Sequence, residues 1–159
     1  MAENLDFGFT IYDFVPQTDN CIAERYLSPV TRHASRYQWD ELMQYQTAEV
    51  SQGLCPPGWH VPSSTEWNEL LSFYESPGMA GWPMMDTLLI NGFHSFQDGF
   101  LYLNNTWAFT TGMYAGSMYW TSTLTGSRAV ARGLNENNPS ASRYEAARAN
   151  AFAVRCLRD

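Results

Sequence analysis

Residues 52–62 constrain the fold of this chain more than any other segment, because proline and glycine occupy five of its eleven positions. Proline lacks the backbone N–H that a helix interior needs, and glycine weakens regular structure. The segment is therefore predicted to form a loop of fixed conformation that contains a short strand. Regular helices are expected only on either side of it.

A first helix is predicted at 37–45, before this loop. Trp39, Leu42 and Met43 are spaced at i, i+3 and i+4, which places three apolar side chains on one face of a helix. That face is expected to pack into the core.

A second helix is predicted at 63–75, directly after the loop. Ser63 and Glu66 have the spacing of a capping box, in which each residue satisfies a backbone N–H of the other. Apolar residues then repeat with a helical period at Trp67, Leu70, Leu71 and Tyr74.

The remainder of the chain is predicted to consist of short antiparallel strands joined by long loops. Glycine interrupts it often, and the segments between are rich in aromatic and β-branched residues. The candidate strands are 99–103, 106–109, 117–123, 128–134 and 151–157, with one earlier strand at 7–14. Helices followed by antiparallel strands indicate an α+β fold.

Composition predicts one globular domain over 1–159. The chain has 159 residues, 45% of them hydrophobic and 15% aromatic, which is enough to bury one core. No run of about 18–20 apolar residues is present, so no insertion of this segment into a membrane is expected.

Charge is distributed unevenly along the chain. The net charge is −7, and all nine basic residues are arginine. Residues 1–99 hold thirteen acidic residues and three arginines, whereas 100–159 hold three acidic residues and six arginines. Nucleic acid is therefore a poor candidate partner, although the second part of the chain is locally basic.

The three cysteines leave two arrangements open. Cys21, Cys55 and Cys156 fit one disulfide with a spare thiol, or three buried reduced thiols. Neither they nor the three histidines, His33, His60 and His94, have the spacing of a zinc site, and no metal or cofactor is predicted.

Several blocks of sequence resemble the Fibrobacter succinogenes major paralogous domain, a module found in surface proteins of Bacteroidetes and Fibrobacteres. The blocks are Met-Ala-Glu-Asn-Leu-Asp at 1–6, Tyr-Gln-Trp at 37–39, Gly-Leu-Cys-Pro-Pro-Gly-Trp-His-Val-Pro-Ser at 53–63, Glu-Trp at 66–67, Tyr-Trp-Thr-Ser-Thr at 119–123 and Ala-Phe-Ala-Val-Arg-Cys-Leu-Arg-Asp at 151–159. They span the chain from end to end. Ala151 stands where the family usually has glycine, and Thr121 where serine is common.

The resemblance implies a C-type-lectin-like fold, with two helices packed on small antiparallel sheets and long loops in the second half. It implies that the N- and C-terminal strands pair, and that Cys55 and Cys156 lie close enough for a disulfide, which requires an oxidising compartment. It also implies a domain excised from a longer, surface-attached bacterial protein, located outside the cell or on its outer membrane.

Enzymatic and calcium-dependent functions are disfavoured. Formylglycine-generating enzymes share the broad fold but use two nearby cysteines, whereas the C-terminal strand here has Cys156 alone. No Gly-x-Ser-x-Gly elbow is present, and none of the Glu-Pro-Asn, Gln-Pro-Asp or Trp-Asn-Asp strings of calcium-binding lectins occurs. His60 is interpreted as a packed, hydrogen-bonded residue rather than a catalytic one.

The candidate ligand-binding region is 114–150, where side chains typical of binding surfaces accumulate. The predicted ligand-binding residues are Trp107, Tyr114, Tyr119, Arg128, Arg132, Asn135, Asn137, Asn138, Arg143, Tyr144 and Arg148. The hypothesis is a non-catalytic binding or adhesion module that recognises a glycan or a protein. The alternatives are a structural or assembly domain of a larger surface protein, and a solvated segment whose arginines pair with the acidic part of the chain.

Overall fold

The computed structural model describes residues 36–74, 100–101, 116–135 and 138–159. Along the chain, its elements are β1 (Tyr37–Gln38), α1 (Trp39–Leu42), β2 (Trp59–His60), α2 (Ser64–Tyr74), β3 (Gly116–Thr125), β4 (Arg128–Asn135), β5 (Asn138–Ala147), β6 (Ala151–Phe152) and β7 (Leu157–Arg158). The predicted strands at 7–14 and 106–109 lie outside the described residues. Two helices and small antiparallel sheets make the fold mixed α+β, as the sequence predicts.

The first helix is shorter than predicted, but its apolar face is buried as expected. It ends at Leu42 because Gln44 and Tyr45 adopt left-handed backbone conformations, with φ of 51° and 60°. Trp39, Leu42 and Met43 are fully buried. The first two residues of the predicted helix form β1 instead.

The second helix begins with the predicted capping box. The Ser63 hydroxyl accepts the backbone N–H of Glu66 at 3.2 Å, and the Glu66 carboxylate accepts the backbone N–H of Ser63 at 2.8 Å. Both N–H groups would otherwise lack a partner at the start of a helix. Trp67, Leu70 and Leu71 bury the inner face of α2.

The largest sheet has the strand order β3-β4-β5, with both pairs antiparallel. The first two of these strands were predicted nearly to their observed bounds. No strand was predicted at β5, because its sequence is polar and rich in alanine. The segment is extended because it pairs with β4.

The C-terminal segment is divided between two sheets, although one continuous strand was predicted at 151–157. Its first part, β6, pairs with β1, and its last part, β7, pairs with β2. Between them, Ala153 exchanges backbone hydrogen bonds with β3 at 2.9 Å. The segment therefore joins all three sheets.

A disulfide joins Cys55 and Cys156, which confirms the pairing that the family resemblance implies. The adjoining backbone reinforces it, because Trp59 and His60 pair with Arg158 and Leu157, and the Asp159 N–H donates to the Gly58 carbonyl at 3.1 Å. We call this arrangement the C-terminal clamp. It closes the 52–62 loop onto the end of the chain.

The core lies between the clamp and the large sheet, and aromatic rings dominate it. The rings of Trp120 and Phe152 lie 4.3 Å apart between centroids. The indole N–H of Trp39 donates to the Thr121 carbonyl, and the indole N–H of Trp120 donates to the Tyr37 carbonyl, both at 2.8 Å. Large rings are thus buried without leaving these two donors unsatisfied.

None of the helices in the described residues is both long enough and apolar enough to cross a membrane.

Reduction of the disulfide is expected to destabilise the protein by about 4 kcal/mol, because the bond closes a loop across a separation of 101 residues. Urea unfolding of the oxidised protein and of the Cys55→Ser, Cys156→Ser double variant measures the difference. A Cys21→Ser variant is the control, and a non-reducing peptide map of it should retain the Cys55–Cys156 link. A link between Cys21 and either partner in the unmodified protein would contradict the assignment.

Substitution of Gly53, at the entrance to the 52–62 loop, is expected to be strongly destabilising. Its φ is +53°, and a Cβ there would lie 2.4 Å from the Leu42 carbonyl oxygen, a backbone atom that cannot move aside. Gly126 is a matched control, because its φ is +60° but a Cβ would meet open space. We expect Gly126→Ala to cost about 1 kcal/mol and Gly53→Ala about 3 kcal/mol in thermal or urea unfolding. Equal costs would show that close packing against Leu42 is unimportant.

Candidate functional site

The large sheet carries most of the predicted ligand-binding residues, and its register divides them between two sides. Tyr119, Arg132 and Arg143 are cross-strand partners on β3, β4 and β5, so their side chains share one side. Helix α2 packs on that side, where Trp67 lies 5.7 Å from Tyr119 between ring centroids. We call it the helix side of the sheet.

Two of the predicted residues on the helix side are buried. Tyr119 is 2% exposed, and the guanidinium of Arg155 lies over its ring at 5.8 Å. Arg132 is 5% exposed, and its Nη2 donates to the Ser64 carbonyl, the Ser64 hydroxyl and the Asn68 side-chain oxygen, all on α2. These side chains therefore join the sheet to the helix rather than lining an open surface.

Arg143, the third of these cross-strand partners, is exposed. Its side chain retains 45% of its solvent exposure and forms a salt bridge of 3.0 Å with Glu145, which is equally exposed. Pairs of this kind contribute little to stability, since water and salt screen both charges. The guanidinium therefore stays accessible to other anions.

Tyr144 lies on the opposite side of the sheet, with the core. Its cross-strand partner is Ala131, which is fully buried. The ring extends across Gly133, because a Cβ at Gly133 would be 2.7 Å from the Tyr144 Cε2 atom. Even so, 46% of Tyr144 remains exposed, so a ring fixed in position is presented to solvent.

The other predicted residues are dispersed. Exposed Arg128 donates to the Glu145 carbonyl at 3.1 Å, while Asn135 and Asn138 are backbone partners in the register of β4 and β5. Arg148 forms a salt bridge with Asp40 and lies 4.8 Å above the Trp39 ring. Arg148 is therefore paired with the acidic part of the chain, which was the alternative to ligand binding in the sequence analysis.

Three predicted ligand-binding residues, Trp107, Tyr114 and Asn137, lie outside the described residues. The structure thus brings Tyr119, Arg132 and Arg143 together on the helix side, holds Tyr144 on the other side, and places Arg148 beside α1.

Among the described residues, Arg132 has no acidic partner. Across the described ranges, none of the salt bridges includes this residue, and its Nε is a buried donor without a hydrogen-bond acceptor. Burial lowers the pKa of the Arg132 guanidinium, and the positive charge of Arg143 lowers it further. A buried cation with only neutral acceptors is unusual in a stable protein.

His60 is buried between two carboxylates, which confirms the interpretation that it is a packed, hydrogen-bonded residue. Its Nδ1 lies 2.6 Å from the Asp159 carboxylate and its Nε2 lies 3.0 Å from that of Glu66. The Glu66 side chain also closes the capping box of α2, so one hydrogen-bonded chain links the helix start to the C-terminal clamp. The contacts of His60 with Asp159 and Glu66 therefore have a structural role.

Sequence reasoning missed the contacts that position Arg132. Ser64 and Asn68 lie on the polar side of α2, four residues apart, and nothing in their local pattern indicates an arginine 64 to 68 positions later. It also missed Tyr45, which is 77% exposed beside Gln44 in a left-handed turn. No group of three or more His, Cys, Asp or Glu side chains that could hold a metal ion occurs in the described parts of the chain.

These observations define a disulfide-clamped α+β module with an arginine-bearing sheet. The family model described as the Fibrobacter succinogenes major domain matches residues 1–158, essentially the whole chain. The chain belongs to that family. Comparison with curated proteins and with solved structures finds no match.

A double-mutant cycle is expected to show that Tyr144 and Gly133 are coupled. Gly133→Ala should cost about 1–3 kcal/mol, because the new methyl group collides with the ring and with the Met118 sulfur. In a Tyr144→Ala background the same substitution should cost clearly less, since only the flexible Met118 must move. Urea unfolding of the four proteins measures the coupling, and strictly additive effects would contradict the stacked arrangement.

Proposed function

We propose that this chain is a non-catalytic binding or adhesion module that acts outside the cell, or on the cell surface, of a bacterium. It recognises a glycan or a protein through the exposed side chains of β4 and β5. In this proposal, 1–159 is a single domain excised from a longer, surface-attached protein. Family membership supplies a fold but no ligand, so the argument depends on the surface chemistry.

The observation that carries the proposal is the exposure of Arg128, Arg143 and Tyr144 on β4 and β5, in a sheet whose β3 and β4 strands are mostly buried. Arginine and tyrosine bind partners through forked donors and rigid aromatic area. Because β4 is hydrogen-bonded on both sides and β5 is paired along most of its length, little conformational entropy is lost when a ligand binds these residues.

The disulfide supports the proposed location. A bond between Cys55 and Cys156 persists in oxidising compartments and is rare in reducing ones. The clamp also buries both cysteines, which protects the bond from reducing agents.

A C-type-lectin-like fold is part of the same proposal. It is supported by two helices, by the pairing of β1 with β6 and by the covalent closure of the chain near its end.

Screening the protein on a glycan array and against surface proteins of bacteria and their hosts tests this proposal. Because β5 is the outer strand of the described three-stranded sheet, a ligand that lies along it can contact Arg143 on one side and Tyr144 on the other. Alanine at either residue is therefore expected to weaken binding of the best ligand about tenfold or more. Arg158→Ala is the matched control, because Arg158 is an exposed arginine on the separate β2-β7 sheet.

Binding that is unaffected by both substitutions would contradict the assignment of the surface. Absence of any ligand, together with self-association in light scattering, would favour the structural or assembly domain instead.

A further inference from the structure

Strand β5 is the open edge of the large sheet. One side of it pairs with β4, and among the described residues no strand pairs with its other side. The opposite edge of the sheet is different, because β3 exchanges backbone hydrogen bonds with Ala153 at 2.9 Å. Arg143, Tyr144 and Glu145 are consecutive on β5 and all exposed, so the strand is uncovered at this point on both sides of the sheet. Such an edge can pair with another strand.

The backbone groups of Arg143 point away from β4. In an antiparallel pair, residues that exchange hydrogen bonds alternate with residues whose N–H and C=O groups point away from the partner strand. On β3, the neighbours of Tyr119 on both sides bond to Ala153, so Tyr119 itself bonds to its partner Arg132. The backbone of Arg132 thus faces β3, and that of Arg143, its partner on β5, faces the open edge.

The backbone groups of Glu145 point to the same edge. Its partner on β4 is Val130, whose carbonyl is directed at β3, because it accepts the Thr121 hydroxyl of that strand at 2.9 Å. The Glu145 carbonyl accepts from Arg128 at 3.1 Å, and a carbonyl has a second lone pair for another donor. Arg143 and Glu145 therefore both present backbone donors and acceptors to a neighbouring strand.

The side chains at this edge are complementary to a second copy of themselves. If two β5 strands pair antiparallel about Tyr144, Arg143 of each copy lies opposite Glu145 of the other, and the two tyrosines face each other. Opposite charges and aromatic rings in such positions stabilise a sheet. The neighbouring registers that keep the outward-facing residues matched place Arg143 opposite Arg143, or Glu145 opposite Glu145. Of these registers, the one centred on Tyr144 alone matches opposite charges.

We propose that two copies of this chain dimerise through β5 in the register centred on Tyr144, so that their large sheets form one continuous sheet. Arg143 of each copy exchanges backbone hydrogen bonds with Glu145 of the other copy, and their side chains form ion pairs across the junction. The salt bridge of 3.0 Å between Arg143 and Glu145 within one chain becomes part of a network of alternating charges. This inference goes beyond the proposed binding function and requires no ligand.

Sedimentation equilibrium of the whole chain without any ligand tests the proposal. A junction of two short strands is smaller than a standard protein interface, so we expect a Kd for self-association of roughly 10–100 µM. The samples are the unmodified protein, the variants Arg143→Glu and Glu145→Arg, an equimolar mixture of these two variants, and the double variant that carries both substitutions.

Each single substitution is expected to weaken self-association about tenfold or more, because both cross-strand ion pairs become like-charge pairs. The mixture should recover the affinity of the unmodified protein, since a strand with two glutamates then faces a strand with two arginines. The double variant should also dimerise, because its charges are exchanged in both copies. Arg158→Glu and Glu49→Arg are the controls, as they make the same charge changes at exposed positions outside the large sheet. They should alter the Kd less than twofold.

An unmodified protein that stays monomeric well above the expected Kd would overturn the inference. Self-association that ignores the single substitutions, or that the mixture fails to restore, would place the junction elsewhere and overturn it as well. A monomer that binds a ligand through Arg143 and Tyr144 leaves the proposed function standing and removes only this inference. A dimer that responds to the substitutions as expected, while the ligand screen finds nothing, keeps this inference and removes the binding function.

Discussion

The C-terminal clamp is the constraint on which the rest of the structure depends. Residues 151–159 contact every sheet in turn, through β6, Ala153 and β7, and the disulfide holds this path at Cys156. Without residues 151–159, β1 and β2 would have no partner strand among the described residues. The 52–62 loop, rigid through its prolines and glycines, provides the other half of the clamp.

The arginines of the second half of the chain have different roles despite their similar sequence context. Arg148 neutralises Asp40 and packs on Trp39, whereas Arg132 is embedded between a helix and a sheet. Arg143 remains half exposed. The uneven charge seen along the sequence is therefore partly neutralised inside the fold. Among the described residues, exposed arginines remain on β4, β5 and β7, at Arg128, Arg143 and Arg158.

Local sequence patterns predicted the elements whose structure is determined by interactions between neighbouring residues. The capping box and the apolar repeat of α2 are properties of neighbouring residues, so its bounds were predicted within one residue. Strand β5 depends on pairing with β4, and its polar sequence gives no signal of its own. The same limit applies to the site, because Arg132 was predicted to bind a ligand only from its residue type, while its burial and its contact with Asn68 arise from tertiary packing.

The position of the disulfide also determines how the module would carry mechanical load. A pulling force on the carboxyl end is transmitted through Cys156 directly to Cys55, so the residues between them, across a sequence separation of 101, are shielded from extension. That covalently closed stretch corresponds to about 340 Å of contour length, which becomes available only after reduction. In the oxidised form the strands of the large sheet, which lie within that closed stretch, cannot be extended by this force.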